Sequence, residues 1–214
     1  MGLTVTDLSC TRGGRLILRG LSFALGSGET LILRGPNGSG KSTLLRALAG
    51  LLPASGRMEI DGRAVGGEGR ADAVAYAGHL DAIKPQLTVA ENLRFWARLF
   101  GGDPGAALAA FDLGPLAERP AHLCSAGQKR RICLARLLVA PRRLWLLDEP
   151  TVALDADATG RLLRVLREHA AGGGLAIVAT HVPLDLAPAR ELVLAAEAQT
   201  ASAAGDPFLQ GAWT

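Results

Sequence analysis

Lysine is almost missing from this chain: of 23 basic residues only Lys41, Lys84 and Lys129 are lysines. Net charge is equally sparse, at +3. An excess that small, with no basic stripe, gives no footprint for nucleic acid, and no nucleic-acid partner is expected. The one dense basic cluster, Lys129-Arg130-Arg131, reads as the solvated first turn of a helix. Cysteine is scarce too. Cys10, Cys124 and Cys133 are odd in number and lack close-pair spacing, which supports neither a disulfide framework nor a zinc site and best fits a reducing cytoplasm. No run of about 18 apolar residues occurs, and the N-terminus has no charged segment leading into an apolar one. Direct membrane insertion and a secretion signal are therefore not expected, so any work at a membrane needs partners to hold the chain there. Internal repeats and low-complexity segments are absent as well.

What is present fits a compact globular protein. Hydrophobic residues make up 49% and charged residues 20% of 214 residues, unlike a disordered chain, and the length predicts a single domain. Two short motif matches are set aside. Met1-Gly2 with Thr6 fits a myristoylation pattern, but Leu3 and Val5 alternate as a strand does. Asn37-Gly38-Ser39 fits a glycosylation sequon but lies inside a glycine loop with a better use.

Periodicity sets the organisation. Leu21, Phe23 and Leu25 alternate with polar or small neighbours, Gly26–Glu29 makes a turn, and Thr30–Arg34 is an apolar strand. After a glycine loop, Leu44, Leu45, Leu48 and Leu52 have helical spacing, predicting a helix from Lys41 to Leu52 that stops at Pro53. Met58–Ile60 and Val74–Ala77 read as short strands, and Thr88-x-x-Glu91 is a capping box opening a helix to about Phe100. Helical patterning with Gly and Pro breaks continues to about Val139. Strands return at Leu144–Leu147, Leu175–Thr180 and Leu192–Leu194, with a helix at 156–171 between the first two. Apolar strands alternating with helices predict an α/β fold: a mostly parallel sheet covered on both faces, an antiparallel N-terminal β part, and an inserted helical lobe. The expected division is a core of 1–83 and 141–214 with the lobe at 84–140.

The chemistry sits at strand ends, where parallel sheets bind ligands. Gly35-Pro36-Asn37-Gly38-Ser39-Gly40-Lys41-Ser42, followed by Thr43, has P-loop spacing between a strand and a helix. Its backbone N–H groups and the helix N-terminus form a positive cradle for phosphates. Lys41 reaches the β- and γ-phosphates and the Ser42 hydroxyl coordinates Mg²⁺. Asp148-Glu149 closes a buried strand, where two carboxylates are tolerable only if a cation or a specific partner compensates. Asp148 is read as the metal residue, and Glu149 as the catalytic base that orients the attacking water. His181 ends another apolar strand and is placed to bond the γ-phosphate and the region of the general base; with Glu149 and Lys41 it makes the expected catalytic set.

Cys124-Ser125-Ala126-Gly127-Gln128 resembles the signature segment of ABC transporter ATP-binding cassettes, usually Leu-Ser-Gly-Gly-Gln. Val152-Ala153-Leu154-Asp155 matches that family's D-loop and Thr180-His181 its switch histidine, in the expected order. The resemblance thus covers nearly the whole chain and implies a P-loop NTPase core of RecA-like type. Ser125, the Gly127 N–H and Gln128, with Asp155, would grip ATP held by a second copy, so that ATP clamps a homodimer. Within the family, Gly78-His79 before Leu87–Leu93, and Thr180-His181 leading into Pro183–Leu186, resemble the haem exporter ATPases of cytochrome c maturation. That resemblance implies integral membrane transporter partners, a peripheral place on the cytoplasmic side of the bacterial inner membrane, and work in haem export or in releasing haem from a chaperone complex. Soluble ABC ATPases, notably of iron–sulfur assembly, and a regulatory module that binds nucleotide without hydrolysing it, remain alternatives at this point. The chain also departs from the family pattern. Leu80 stands where a metal- and water-binding glutamine belongs, with Gln86 late in the pattern. Arg12 is nearest to the missing adenine-stacking aromatic and is expected to stack instead. Slow hydrolysis with intact ATP binding is the expectation.

Overall fold

The computed structural model describes residues 1–67, 69–78, 82–187 and 189–195. The chain begins with two long strands, β1 (Gly2–Arg12) and β2 (Arg15–Gly26), joined through Gly13 and Gly14. Both glycines have positive φ (57° and 74°), the backbone a twist-matched two-residue hairpin turn requires. After β3 (Thr30–Arg34) and α1 (Lys41–Leu48) come β4 (Ser55–Ile60) and β5 (Arg63–Ala64), a second hairpin turning through Asp61-Gly62. The antiparallel sheet runs β2-β1-β4-β5.

The helix α1 stops four residues short of the expected Leu52. Gly50, at φ 75°, turns the chain left-handed; its N–H bonds the Ala47 carbonyl at 3.0 Å and the Leu51 N–H bonds the Arg46 carbonyl at 2.8 Å. That pair of bonds is a Schellman stop, which acts before Pro53 is reached.

A short helix α2 (Gly69–Ala73) leads into β6 (Val74–Ala77). The lobe follows: α3 (Val89–Phe100), α4 (Pro104–Ala110) and α5 (Ala126–Val139), with single 3-10 turns at Gly114–Leu116 and Ala121–Leu123. The predicted box at the start of α3 is complete, Thr88 and Glu91 each satisfying the other's backbone N–H. Buried Asn92 fastens the loop ahead of α3, donating to the Lys84, Leu87 and Thr88 carbonyls and accepting from the Lys84 N–H. Phe111, fully buried, anchors the lobe's interior, where truncation to Ala would cost about 3–5 kcal/mol.

The chain then returns with β7 (Leu144–Asp148), α6 (Ala156–Ala171), β8 (Leu175–Ala179) and β9 (Ala189–Val193). The five-stranded sheet runs β6-β7-β8-β3-β9, every pair parallel. Its side chains alternate between two cores. Leu31, Leu33, Leu144, Leu146 and Ile177 join α1 and the antiparallel sheet, whereas Ile32, Trp145, Leu147 and Val178 join α5, α6 and the lobe. Every residue of β7 and β8 is buried, as a strand covered on both faces must be. The architecture is that of a P-loop NTPase, and its carboxyl strand ends gather the residues considered next.

Candidate active site

The loop from Gly35 to Gly40 crosses from β3 to α1 in a backbone few side chains permit. Gly35, Gly38 and Gly40 have φ of 141°, 82° and 96°. A Cβ on Gly40 would also lie 3.0 Å from Ile17 and 3.1 Å from Leu18, so the glycines let the loop pack against β2. Lys41 is 8% exposed, and its ammonium donates to the Gly35 carbonyl at 2.7 Å and the Pro36 carbonyl at 3.0 Å. The loop's own oxygens thus compensate a nearly buried charge.

The Ser42 hydroxyl donates to Asp148 Oδ1 at 3.0 Å, and the Tyr76 hydroxyl approaches Oδ2 at 3.4 Å. Asp148 is buried at the last position of β7, and both its oxygens have hydroxyl partners. Tyr76 is also hydrogen-bonded to Arg46. Burial pushes the phenol above its ordinary pKa, opposed by the Arg46 bond, and the same bond, ahead of other causes, raises the guanidinium.

Glu149 follows with φ 46°, a left-handed backbone rare outside glycine. Its N–H bonds the Ala179 carbonyl at 2.8 Å, tying the turn to β8. His181, two residues past β8, holds Nε2 3.5 Å from Glu149 Oε1.

One cleft of about 350 Å³ collects these groups: Arg12 and Ile17 from the first hairpin, Asn37, Gly38 and Gly40 from the loop, and Lys41, Ser42 and Thr43 from α1. Asp148, Glu149 and His181 complete it. Gly35, Pro36 and Ser39 shape the loop without lining the cleft.

Ser125, Gly127, Gln128 and Asp155 do not line it. Ser125 caps α5: its Oγ accepts from the Gln128 N–H at 3.2 Å, while Gln128 Oε1 accepts from the Ser125 N–H at 2.9 Å. Ser125 keeps its own hydroxyl proton to donate. Asp155 caps α6, accepting from the Ala158 N–H at 2.8 Å. Gly127 lies against the loop before α6, where a Cβ would sit 2.6 Å from the Ala153 carbonyl. Ser125 and Asp155 are both exposed outside the lining of the cleft, and the segments that carry them meet where Gly127 lies against Ala153.

Reading Lys129-Arg130-Arg131 as a solvated turn fails at Arg130, which is 5% exposed. Its guanidinium donates to the carbonyls of Gly78, Asp148, Glu149 and Pro150 at 2.7–3.2 Å. Helical phase could have revealed it, because Arg130 shares its face with the buried Cys133, Leu134 and Leu137. Tyr76, the sole tyrosine, and Arg46 carry no comparable signal. Gln86 is exposed, while His79 and Leu80 lie outside the described residues. Among the described residues no helix is long and apolar enough to cross a membrane.

The ABC transporter family profile matches residues 18–152. The cytochrome c biogenesis ATP-binding export protein CcmA of Ruegeria pomeroyi is 56% identical over 188 residues, 87% of this chain and 88% of that protein. The CcmA of Paracoccus denitrificans is 54% identical over 194 residues, 90% of this chain and 88% of that protein. A solved ATP-binding subunit of an ABC transporter is 28% identical, with a TM-score of 0.77 over 85% of this chain and 80% of that one. An ATP-binding cassette solved as a post-hydrolysis dimer with ADP and phosphate is 23% identical with a TM-score of 0.74, over 84% of this chain and 88% of that one; it shares the fold. Motif order, cleft and likeness agree: the chain belongs to the ABC transporter family of ATP-binding subunits, whose members bind and hydrolyse ATP.

Proposed function

We propose that this chain is the ATP-hydrolysing subunit of a cytochrome c biogenesis transporter, working as an ATP-clamped homodimer that drives integral membrane subunits from the cytoplasmic side of a bacterial inner membrane. The name shared by relatives 54–56% identical to it supports the biogenesis role, in which haem would be exported or released from its chaperone complex.

The residues divide the work by position. Lys41 exchanges the Gly35 and Pro36 carbonyls for the β- and γ-phosphates, and the loop N–H groups hold the remaining phosphate oxygens. Arg12 stacks on the adenine from the cleft rim. Glu149 takes the proton of the attacking water, and His181 bonds both the γ-phosphate and Glu149. Oxygen donors suit Mg²⁺, which is usually held by one or two carboxylates together with substrate phosphates. Ser42 and Asp148, already in contact at 3.0 Å, are the residues that would hold it. Among the described residues no cluster of three or more His, Cys, Asp or Glu could bind a metal alone, consistent with an ion that arrives with nucleotide. When bound, Mg²⁺ would offset charge developing on the phosphates. Ser125, Gly127 and Gln128, on the lobe spanning 84–140, grip the γ-phosphate of the other copy's ATP, with Asp155 beside them.

One observation carries this reading: three strand ends deliver Lys41, Ser42, Asp148, Glu149 and His181 to a single cleft that lacks the signature residues. Half a pocket on each surface requires two copies. Glu149→Gln is the test. Hydrolysis should fall at least about a hundredfold, with ATP still bound and the protein shifting to a dimer in sizing chromatography. Equal rates in wild type and variant would remove the assigned chemistry. Turnover of the unpartnered wild type is inferred to be slow, from Leu80.

A further inference from the structure

We infer that Arg130 is a positioning residue for Glu149, linking the start of the signature helix to the turn that aims the catalytic carboxylate; this rests on the roles proposed for Glu149 and Ser125.

Arg130 stands five residues past Ser125 on α5, on the face that packs into the core. Its Nε donates to the Pro150 carbonyl at 3.2 Å, and one terminal nitrogen to the Gly78 carbonyl at 2.7 Å. The other terminal nitrogen spans the Asp148 and Glu149 carbonyls at 2.9 and 2.8 Å. Three of the four acceptors are consecutive, so the guanidinium gathers the carbonyls of residues 148, 149 and 150 onto one plane. The turn they form contains Glu149 in its left-handed conformation. A non-glycine residue keeps such a backbone only where its surroundings over-determine it, and a rigid planar fork of five N–H groups does this as no other side chain can.

The fourth bond closes the link. Gly78 follows β6, the neighbour of β7 in the sheet, so Arg130 pins α5 to two adjacent strand ends at once. A shift of α5 when Ser125 engages nucleotide must move the Glu149 turn or break these bonds. The second half-site thereby gains a mechanical route to the base in its own subunit.

Single-turnover hydrolysis by the full-length chain, expressed per bound ATP as titrated with a fluorescent analogue, tests this, because misfolded protein drops out of the rate. Arg130→Lys keeps the charge but cannot span four carbonyls, and Arg130→Gln removes the charge. Both should slow hydrolysis at least about tenfold with ATP affinity changed less than about threefold. Adding Arg130→Lys to Glu149→Gln should slow the reaction no further, because Arg130 acts through Glu149. A wild-type rate per bound ATP in both single variants overturns the inference, as does full multiplication of the two losses in the double variant, the mark of a merely structural role. If Glu149→Gln itself turns over normally, the proposed base falls and this inference with it. If Glu149→Gln is slow and the Arg130 variants are fast, only the inference falls.

Discussion

His181 Nε2 and Glu149 Oε1 lie 3.5 Å apart, brought together from the ends of two adjacent parallel strands. The contact gives a lone histidine a place in the chemistry: it meets the carboxylate, lines the cleft and keeps nearly half of its side-chain surface (48%) exposed. His181→Ala should lower ATP affinity only slightly, since most of the phosphate binding is assigned to Lys41 and the loop N–H groups. Steady-state hydrolysis should drop about ten- to a hundredfold. An affinity loss matching the rate loss would instead assign His181 to nucleotide binding.

Ser42 and Tyr76 flank the two oxygens of buried Asp148. Removing either hydroxyl leaves a carboxylate oxygen short of a partner, at a cost of about 1–3 kcal/mol, but only Ser42 is a proposed metal residue. ATP affinity measured with and without Mg²⁺ separates them. Ser42→Ala should lose most of the affinity that Mg²⁺ adds to wild type, whereas Tyr76→Phe should keep it and lose thermal stability. Equal responses to Mg²⁺ in the two variants would count against the role given to Ser42.

These pairs also separate what is legible in the sequence from what only the fold brings together. The glycine loop, the Thr88–Glu91 box and the Asp148-Glu149 strand end are local signals, each complete within about eight residues, and the structure places each element as expected. Pro53 predicts an end for α1 that comes too late, because the weaker signal of Gly50 stops the helix first. Tyr76 meets Asp148 across 72 residues and Arg130 meets Gly78 across 52, separations at which spacing carries no information. Arg130 was hidden further by its neighbours, because a run of three cations reads as surface until each is assigned a helix face.

His169 gives the stability a pH signature. Its ring stacks on Trp145 with centroids 3.8 Å apart, and burial, then the charge of Arg143, lowers its pKa below 6.5 against the opposing bond to the Leu175 carbonyl. In the folded protein the imidazole thus resists a proton that the unfolded chain accepts. Its contribution to stability is whole above about pH 6.5 and is lost as pH falls below that toward the depressed folded value. Urea-unfolding midpoints from pH 8 to pH 5 should fall less steeply in His169→Phe than in wild type. Parallel slopes would show that other groups set the acid sensitivity.

Two glycine-to-alanine changes separate contact from propensity. At Gly127 the new methyl carbon would lie 2.6 Å from the Ala153 carbonyl, closer than real Cβ atoms come to backbone oxygen. Ala153 cannot retreat cheaply, since it already occupies a left-handed turn at φ 65°. The added carbon must pry the start of α5 from the loop before α6, disturbing Ser125 and Asp155 while leaving the P-loop cleft untouched. ATP binding by the monomer should survive, while ATP-driven dimerisation weakens and hydrolysis falls more than about tenfold. Gly160, inside α6, has open space where a side chain would begin, with nothing within 4 Å of a Cβ placed there. There the same change only restricts the unfolded chain and improves helix propensity, so Gly160→Ala should gain about 0.5–1 kcal/mol in denaturant unfolding and hydrolyse ATP at the wild-type rate. If Gly127→Ala dimerises and turns over like Gly160→Ala, the segments that carry Ser125 and Asp155 are not the second half of the pocket.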